Sequence, residues 1–394
     1  MSASNVVLIA GGGIGGLSAA LGLARAGVAS IVLERAPQFG EIGAGIQLGP
    51  NAFRSFEHLG IGEAARRLAV YVDAMKVMDA VSAREIVSIS LGDDFRARFG
   101  APYAVVHRGE LHGLMQRACE ASPLVELRTN SRVVSYAQDE SGVFVTLGEG
   151  SVMTGAALVG ADGLRSAVRA QLVGDGEPRV SGHTTYRSVI PTEDMPEELR
   201  WNAMTIWMGP KCHIVHYPVS DWKAFNLVVT RDNGATSAAA GTPVSHEDVR
   251  AQFAHIDPLP RQIIERGRDW KFWVLCDREP TEHWCDGRVA LLGDAAHPML
   301  QYLAQGACMA MEDAVRLAHE VGRHGDDIPG AFEAYRRARV ARASRVQTGA
   351  REMGEDVFHV SGERAERRNA RLRSMTPGDF HDVAAWLYDG SGLT

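Results

Sequence analysis

Cysteine is scarce in this chain: five residues, Cys119, Cys212, Cys276, Cys285 and Cys308, among 394. None pair at C-x-x-C or C-x4-C spacing and none stand at zinc-ligand spacing. That argues against a disulfide oxidoreductase and against a bound metal, and reads as a reducing, cytoplasmic setting. Basic residues are short as well. Forty-one Lys and Arg face 48 Asp and Glu, a net charge of −7, and no basic stripe dominates, so nucleic acid is a poor fit as a partner. The one basic run, Arg364 to Arg373, is interleaved with Glu363 and Glu366 and reads as a helix with a solvated face. Nowhere do 18 apolar residues follow one another, so no transmembrane segment is expected. The first apolar stretch, Val6 to Ala10, is too short and lacks the basic flank of a signal peptide. Repeats and low-complexity tracts are also missing. What remains is 45% hydrophobic and 23% charged, a globular composition with chain enough for two or three domains.

Glycine is not scarce, and it clusters near the N-terminus. Val6 to Ala10 is a β-branched run of the kind found in buried parallel strands. Gly11-Gly12-Gly13-Ile14-Gly15-Gly16 follows, then an alanine- and leucine-rich helix, Leu17 to Ala26, ended by Gly27. A second strand, Ser30 to Leu33, closes on Glu34 and Arg35. Gly11 allows the tight turn, Gly13 lets backbone approach a pyrophosphate, and Gly16 lets helix and strand pack closely. Free N–H groups at the helix start, around Ile14, attract phosphate. Glu34 stands 18 residues after Gly16, where an acid accepts hydrogen bonds from a ribose and repels a 2′-phosphate. The unit is a site for an adenine dinucleotide, FAD or NAD. No second G-x-G-x-x-G occurs.

Two later segments narrow the choice. Leu158 to Ser166, containing Gly160-Ala161-Asp162-Gly163, is a buried strand turning into a helix that carries Val168-Arg169. Arg288 to Pro298 is another, ending in Gly293-Asp294, and Gln305-Gly306-Ala307 then opens a helix with Glu312 and Asp313. With these three signatures in this order, the chain resembles the single-component FAD-dependent aromatic hydroxylases, the group A flavoprotein monooxygenases, from about residue 5 to about 350. The resemblance implies bound FAD and NADH as a transient co-substrate. It implies that Asp294 holds the ribitol, and that Arg108, in His107-Arg108-Gly109-Glu110-Leu111, opens a helix beside the cofactor. It also implies that the helix from Gly306 and Ala307 points its N-terminus at the pyrimidine edge of the flavin. Asp162 reads equally as a turn residue.

The architecture expected is α/β: a Rossmann-like FAD-binding domain with a parallel sheet, interleaved with a β-rich substrate domain and a C-terminal helical segment. The boundaries expected are 1–72, 98–180 and 268–350 for the first, 73–97 and 181–267 for the second, and 351–394 for the tail. Period-two alternation from Gly182 to Val229 suggests a half-exposed sheet in the substrate domain. The tail reads as helical, with its apolar side placed at the interface of a homodimer.

Chemistry concentrates in two segments. In Gly209 to Pro218, a strand puts His213, Val215 and Tyr217 on one face and Cys212, Ile214 and His216 on the other. His213 and Tyr217 then flank a ring-sized space, about 13 Å apart along the strand, while His216 is expected to face solvent. An electrophilic oxygen attacks a phenolate faster than a phenol, so a base beside the hydroxyl is required. The second segment, His297 to Gly306, has Leu300-Gln301 where many aromatic hydroxylases carry prolines. Together with Asp277 to Pro280, these segments resemble the branch that converts 3-hydroxybenzoate to gentisate with O2. The resemblance implies His213 as base, Gln301 as the amide that positions the hydroxyl, and Tyr217 as a pocket hydrogen-bonder. Tyr103 matches a pocket tyrosine or packs in the core. Gln47, in the loop Glu41 to Asn51, stands where related hydroxynicotinate hydroxylases carry a His and is expected beside the flavin. Salicylate 1-hydroxylase is the alternative within the class. A flavin-binding redox sensor is the alternative outside it.

Overall fold

The computed structural model describes residues 6–40, 44–389 and 393. Glu41 to Gly43 of the Gln47 loop lie outside the described residues. The first strand, Val7–Ala10, is central in a six-stranded sheet. It pairs in parallel with Ser30–Leu33 on one side and Ala157–Gly160 on the other. Val125–Arg128 and Val289–Leu291 extend the sheet in parallel, and Cys285–Asp286 adds an antiparallel edge. The strands are almost wholly apolar because helices cover them: Ile14–Arg25 and Gly306–His324 pack side by side in the same core. Glycine sets that closeness. A Cβ on Gly16 would lie 1.9 Å from the Gly11 carbonyl oxygen, and one on Gly22 would lie 3.0 Å from Ala318 Cβ.

An eight-stranded sheet forms the second body. It draws on residues 74–90, 179–243 and 271–277, so Lys271–Asp277 pairs here and not in the nucleotide sheet. The half-exposed sheet expected from the alternation is not what forms. Ala203–Gly209 and Cys212–Val219 are buried along their whole lengths. One face, with Val215 and Tyr217, joins a core shared with the C-terminal helices. The other, with Cys212 and Ile214, packs against Trp207, Phe253 and Ile263 beneath the helices His246–Gln252 and Pro258–Arg266. Alternation marks two faces; it does not say that water covers one of them.

The tail is helical, as expected, in Glu363–Ser374 and Pro377–Tyr388. Some of its apolar residues are used within the chain, while Val383 is 56% exposed. Leu387 and Tyr388 are buried against Phe95, Phe99 and Tyr103. Arg342 donates to the Leu387 carbonyl at 2.7 Å, and Arg98 forms a bidentate pair with Asp389 at 2.7 and 2.6 Å.

Candidate active site

The two bodies and the tail enclose one cavity of about 1350 Å3. At one end the glycine turn shapes it. Gly11 has φ +102°, and a Cβ there would lie 2.4 Å from the Ala161 carbonyl oxygen. Gly11, Gly13 and Ile14 line the wall, as do Glu34, Arg35, Arg108, Asp294, Gly306 and Ala307. Gly16 does not: it is spent on helix–strand packing. Glu34 accepts the N–H of Gly12 at 2.7 Å and of Ala36 at 2.8 Å, which fixes its carboxylate at the end of the second strand. Asp162 accepts the N–H of Ala167 at 2.7 Å and the hydroxyl of Ser166, so it organises the turn into the helix Ala167–Leu172 while lining the cavity. A turn whose backbone packing leaves Gly11 and Gly16 no room for a Cβ, an anchored acid at ribose distance along the chain and two helix starts make a fit for FAD.

The Gly293–Ala295 turn that carries Asp294 is held from behind by buried charge. Asp313 accepts from Gly293 N–H at 3.1 Å, His297 Nε2 lies 2.5 Å from it, and Arg339 reaches it at 2.8 Å. Arg339 also binds Glu312 at 2.7 Å, and Glu312 takes Asn51 and Arg342, each at 2.8 Å from one oxygen. Burial would raise the Asp313 carboxyl, but His297 and Arg339 outweigh it and hold it at about 2. Breaking such a cluster strands a buried charge, at a cost of about 3–5 kcal/mol.

The far end of the cavity holds the second group of residues. His213, Val215 and Tyr217 share the face turned into it. His213 Nδ1 meets His359 Nε2 at 2.8 Å, which leaves Nε2 for the cavity. Burial, with the neighbouring His359 and His183, pushes His213 well below the usual histidine range, so it is a neutral base at neutral pH. Gln301 is fixed at both ends of its amide. It donates to Thr230 Oγ1 at 2.9 Å and Thr185 Oγ1 at 3.3 Å, and accepts from Arg187 at 3.2 Å. Tyr103 donates to Gln47 Oε1 at 2.5 Å, and Gln47 also bonds Tyr217. Tyr103 is thus both buried in the core and part of the cavity wall. A Cβ on Gly45 would sit 2.4 Å from the Tyr217 ring, so glycine is what admits that ring.

The family model described as FAD binding domain matches residues 4–350. The chain is 56% identical to 3-hydroxybenzoate 6-hydroxylase 1 of Aquipseudomonas alcaligenes over 384 residues, 98% of this chain and 97% of that one. It is 49% identical to 3-hydroxybenzoate 6-hydroxylase of Polaromonas naphthalenivorans, covering 97% and 95%. This chain belongs to the FAD-dependent aromatic hydroxylases. Among solved structures, Klebsiella pneumoniae HpxO complexed with FAD and uric acid superposes on this hydroxylase with a TM-score of 0.85, at 27% identity and 97% coverage of each chain.

Two sequence expectations change in the hydroxylase. His216 does not face solvent. It is 1% exposed, beside Trp201 and Phe225, and burial alone pushes it down to about 3. The Arg364–Arg373 run is a helix, but Arg364, Arg367, Arg368 and Arg371 line the cavity, so this face is not simply solvated. Sequence reading also missed two residues. Arg187 holds the Gln301 amide, and its place on a strand next to Thr185 was visible without its direction. His359 gave no signal, because its partner His213 is 146 positions away.

Proposed function

We propose that this hydroxylase converts 3-hydroxybenzoate, NADH, a proton and O2 to gentisate, NAD+ and water. The observation that carries the reading is the neutral base His213 on the wall of the cavity that holds the nucleotide cradle at its other end. The names of the two relatives support the same substrate. Bound FAD, once reduced by NADH, would activate O2 so that one of its oxygen atoms reaches the ring as an electrophile. His213 Nε2 takes the phenol proton, which makes the ring carbon para to the oxygen a stronger nucleophile. Gln301, its amide locked by two threonines and Arg187, holds the substrate hydroxyl in one orientation. Tyr217 and Tyr103, joined through Gln47, wall the ring side. Glu34, Arg35, Arg108, Asp294 and the start of the Gly306 helix would hold the cofactor, and the partial positive charge of that helix favours an anionic flavin. The helix Pro377–Tyr388 lines the cavity and shields part of it from water. The same reading takes in a cytoplasmic homodimer, with the boundaries between cofactor and substrate domains given above moved to place 271–277 in the substrate domain.

The test is NADH oxidation by the purified holoenzyme with 3-hydroxybenzoate, salicylate and 4-hydroxybenzoate, with products separated by chromatography. Gentisate from the first substrate is expected. Catechol from salicylate, with no turnover of 3-hydroxybenzoate, would move the substrate to the alternative hydroxylase. FAD absorbance with no substrate-stimulated NADH oxidation would favour the sensor.

A further inference from the structure

A buried base that resists becoming an imidazolium can accept a phenol proton only if it gives another up. His213 has an exit. Its Nδ1 is 2.8 Å from His359 Nε2, and the two rings lie 5.1 Å apart and 26° from parallel. Across that bond one ring donates and the other accepts. His359 follows the helical turn Met353–Phe358, is 7% exposed, and its Nδ1 is buried with no hydrogen-bond partner among the described residues. It lines a second cavity of about 300 Å3, whose wall carries His183, Lys211, Asp232, Glu355 and Arg364. This pair of imidazoles joins the two cavities, as does a second pair, Tyr302 on the first wall and His183 on the second, whose hydroxyl and Nδ1 lie 2.6 Å apart; among the described residues only the first pair includes a hydrogen bond to His213.

We propose that His359 is the proton outlet of the hydroxylation site, passing the substrate's phenol proton from His213 to water in the second cavity. The proposal rests on the base role given to His213 above. The phenol O–H bond breaks and its proton joins His213 Nε2, while the electron pair stays on the substrate oxygen. The proton on His213 Nδ1 moves to His359 Nε2. The proton on His359 Nδ1 passes to water when a small turn of the ring brings that buried atom to the second cavity. Both rings are neutral before and after, each having exchanged one tautomer for the other, and nothing is oxidised or reduced. As the hydroxylated ring carbon gives up its hydrogen to water as a proton and the ring regains its aromaticity, the reverse passage returns a proton to the oxygen.

The surroundings favour exchange over a resting cation. Burial pushes His359 down to about 3, assisted by His183 and Arg231. At the outer wall Asp232 and Glu355 draw the outgoing proton, and Lys211 and Arg364 offset their charge. His359 acts on the substrate only through His213. It is a positioning and relay residue, which distinguishes it from the base itself.

The test mixes FAD-loaded enzyme with 3-hydroxybenzoate in weakly buffered solution containing a pH indicator, without NADH. In the native enzyme a proton appears in solvent as phenolate absorbance appears. In His359→Gln the amide still bonds His213 but cannot relay. Both signals are expected to slow about tenfold or more, with substrate affinity little changed, and added imidazole restores the rate. A merely structural role would not respond to imidazole. Should that variant fail to hold FAD, Ser361→Trp, at the exposed rim of the outlet, carries the same expectation without altering either histidine. Native rates in the variant tested overturn the relay. If His213→Ala also forms phenolate at the native rate, the base assignment itself fails, and the relay with it.

Discussion

His213 and His216 are three residues apart on one strand and differ in what their burial does. His213 spends one nitrogen on His359 and keeps the other for the cavity. Among the described residues His216 has no hydrogen-bond partner at either nitrogen, and it lies against aromatic rings. Its folded value of about 3 stands well below that of a histidine in the unfolded chain, about 6.5. Between those values the unfolded chain binds a proton that the folded chain refuses, so stability is lost as pH falls through about 6.5. For His216 alone the loss between about pH 7 and about pH 5 is about 2 kcal/mol. His213 and His359 act in the same direction. Denaturant unfolding of His216→Phe at both pH values is expected to show a shallower decline than the native chain. An identical decline would mean that His216 does not stay neutral on folding. Parity along the strand made the two histidines' opposite directions legible in the sequence. The identity of what covers each direction was not, because Trp201, Phe225 and His359 reach the strand from separate parts of the chain.

At the scale of elements, the nucleotide unit was readable because its logic is local. Strand, glycine turn, helix, strand and acid occupy residues 7–34, and each step follows from the one before. Gly16 illustrates how tight that logic is. With its Cβ position 1.9 Å from the Gly11 carbonyl oxygen, Gly16→Ala must lift the helix Ile14–Arg25 from the turn. The expected cost is about 1–3 kcal/mol, together with loss of FAD on gel filtration. The measurement is flavin retained per chain, beside the unfolding midpoint; full retention would show that the helix can move without disturbing the cradle. The eight-stranded sheet was less legible. Its strands come from residues 74–90, 179–243 and 271–277, and the parallel pairing of Ala203–Gly209 with Ala74–Asp79 has no local signature. The basic run Arg364–Arg373 shows the same limit: helical period was evident, but not that four of its arginines would border a cavity.

For the molecule as a whole, the C-terminal helices close a space that the two sheets leave open. The helix Pro377–Tyr388 is tied down by Arg98 on Asp389, Arg54 on the Tyr388 carbonyl and Arg342 on the Leu387 carbonyl. A chain ended after Ser374 is expected to keep oxidising NADH with 3-hydroxybenzoate present, but to release hydrogen peroxide in place of much of the hydroxylated product, because water reaches the site. The ratio of product to NADH consumed measures this, and an unchanged ratio would make the roof dispensable. The central strand Val7–Ala10 takes its neighbours from residues 30–33 and 157–160, and Val289–Leu291 lies one strand further out. A ribosome working at roughly 5–20 residues per second takes tens of seconds to deliver that outer strand, and the roof comes later still. The order of birth is therefore the reverse of the order of use: the cofactor's cradle is made before the roof, and it waits for the roof before there is a chamber to serve.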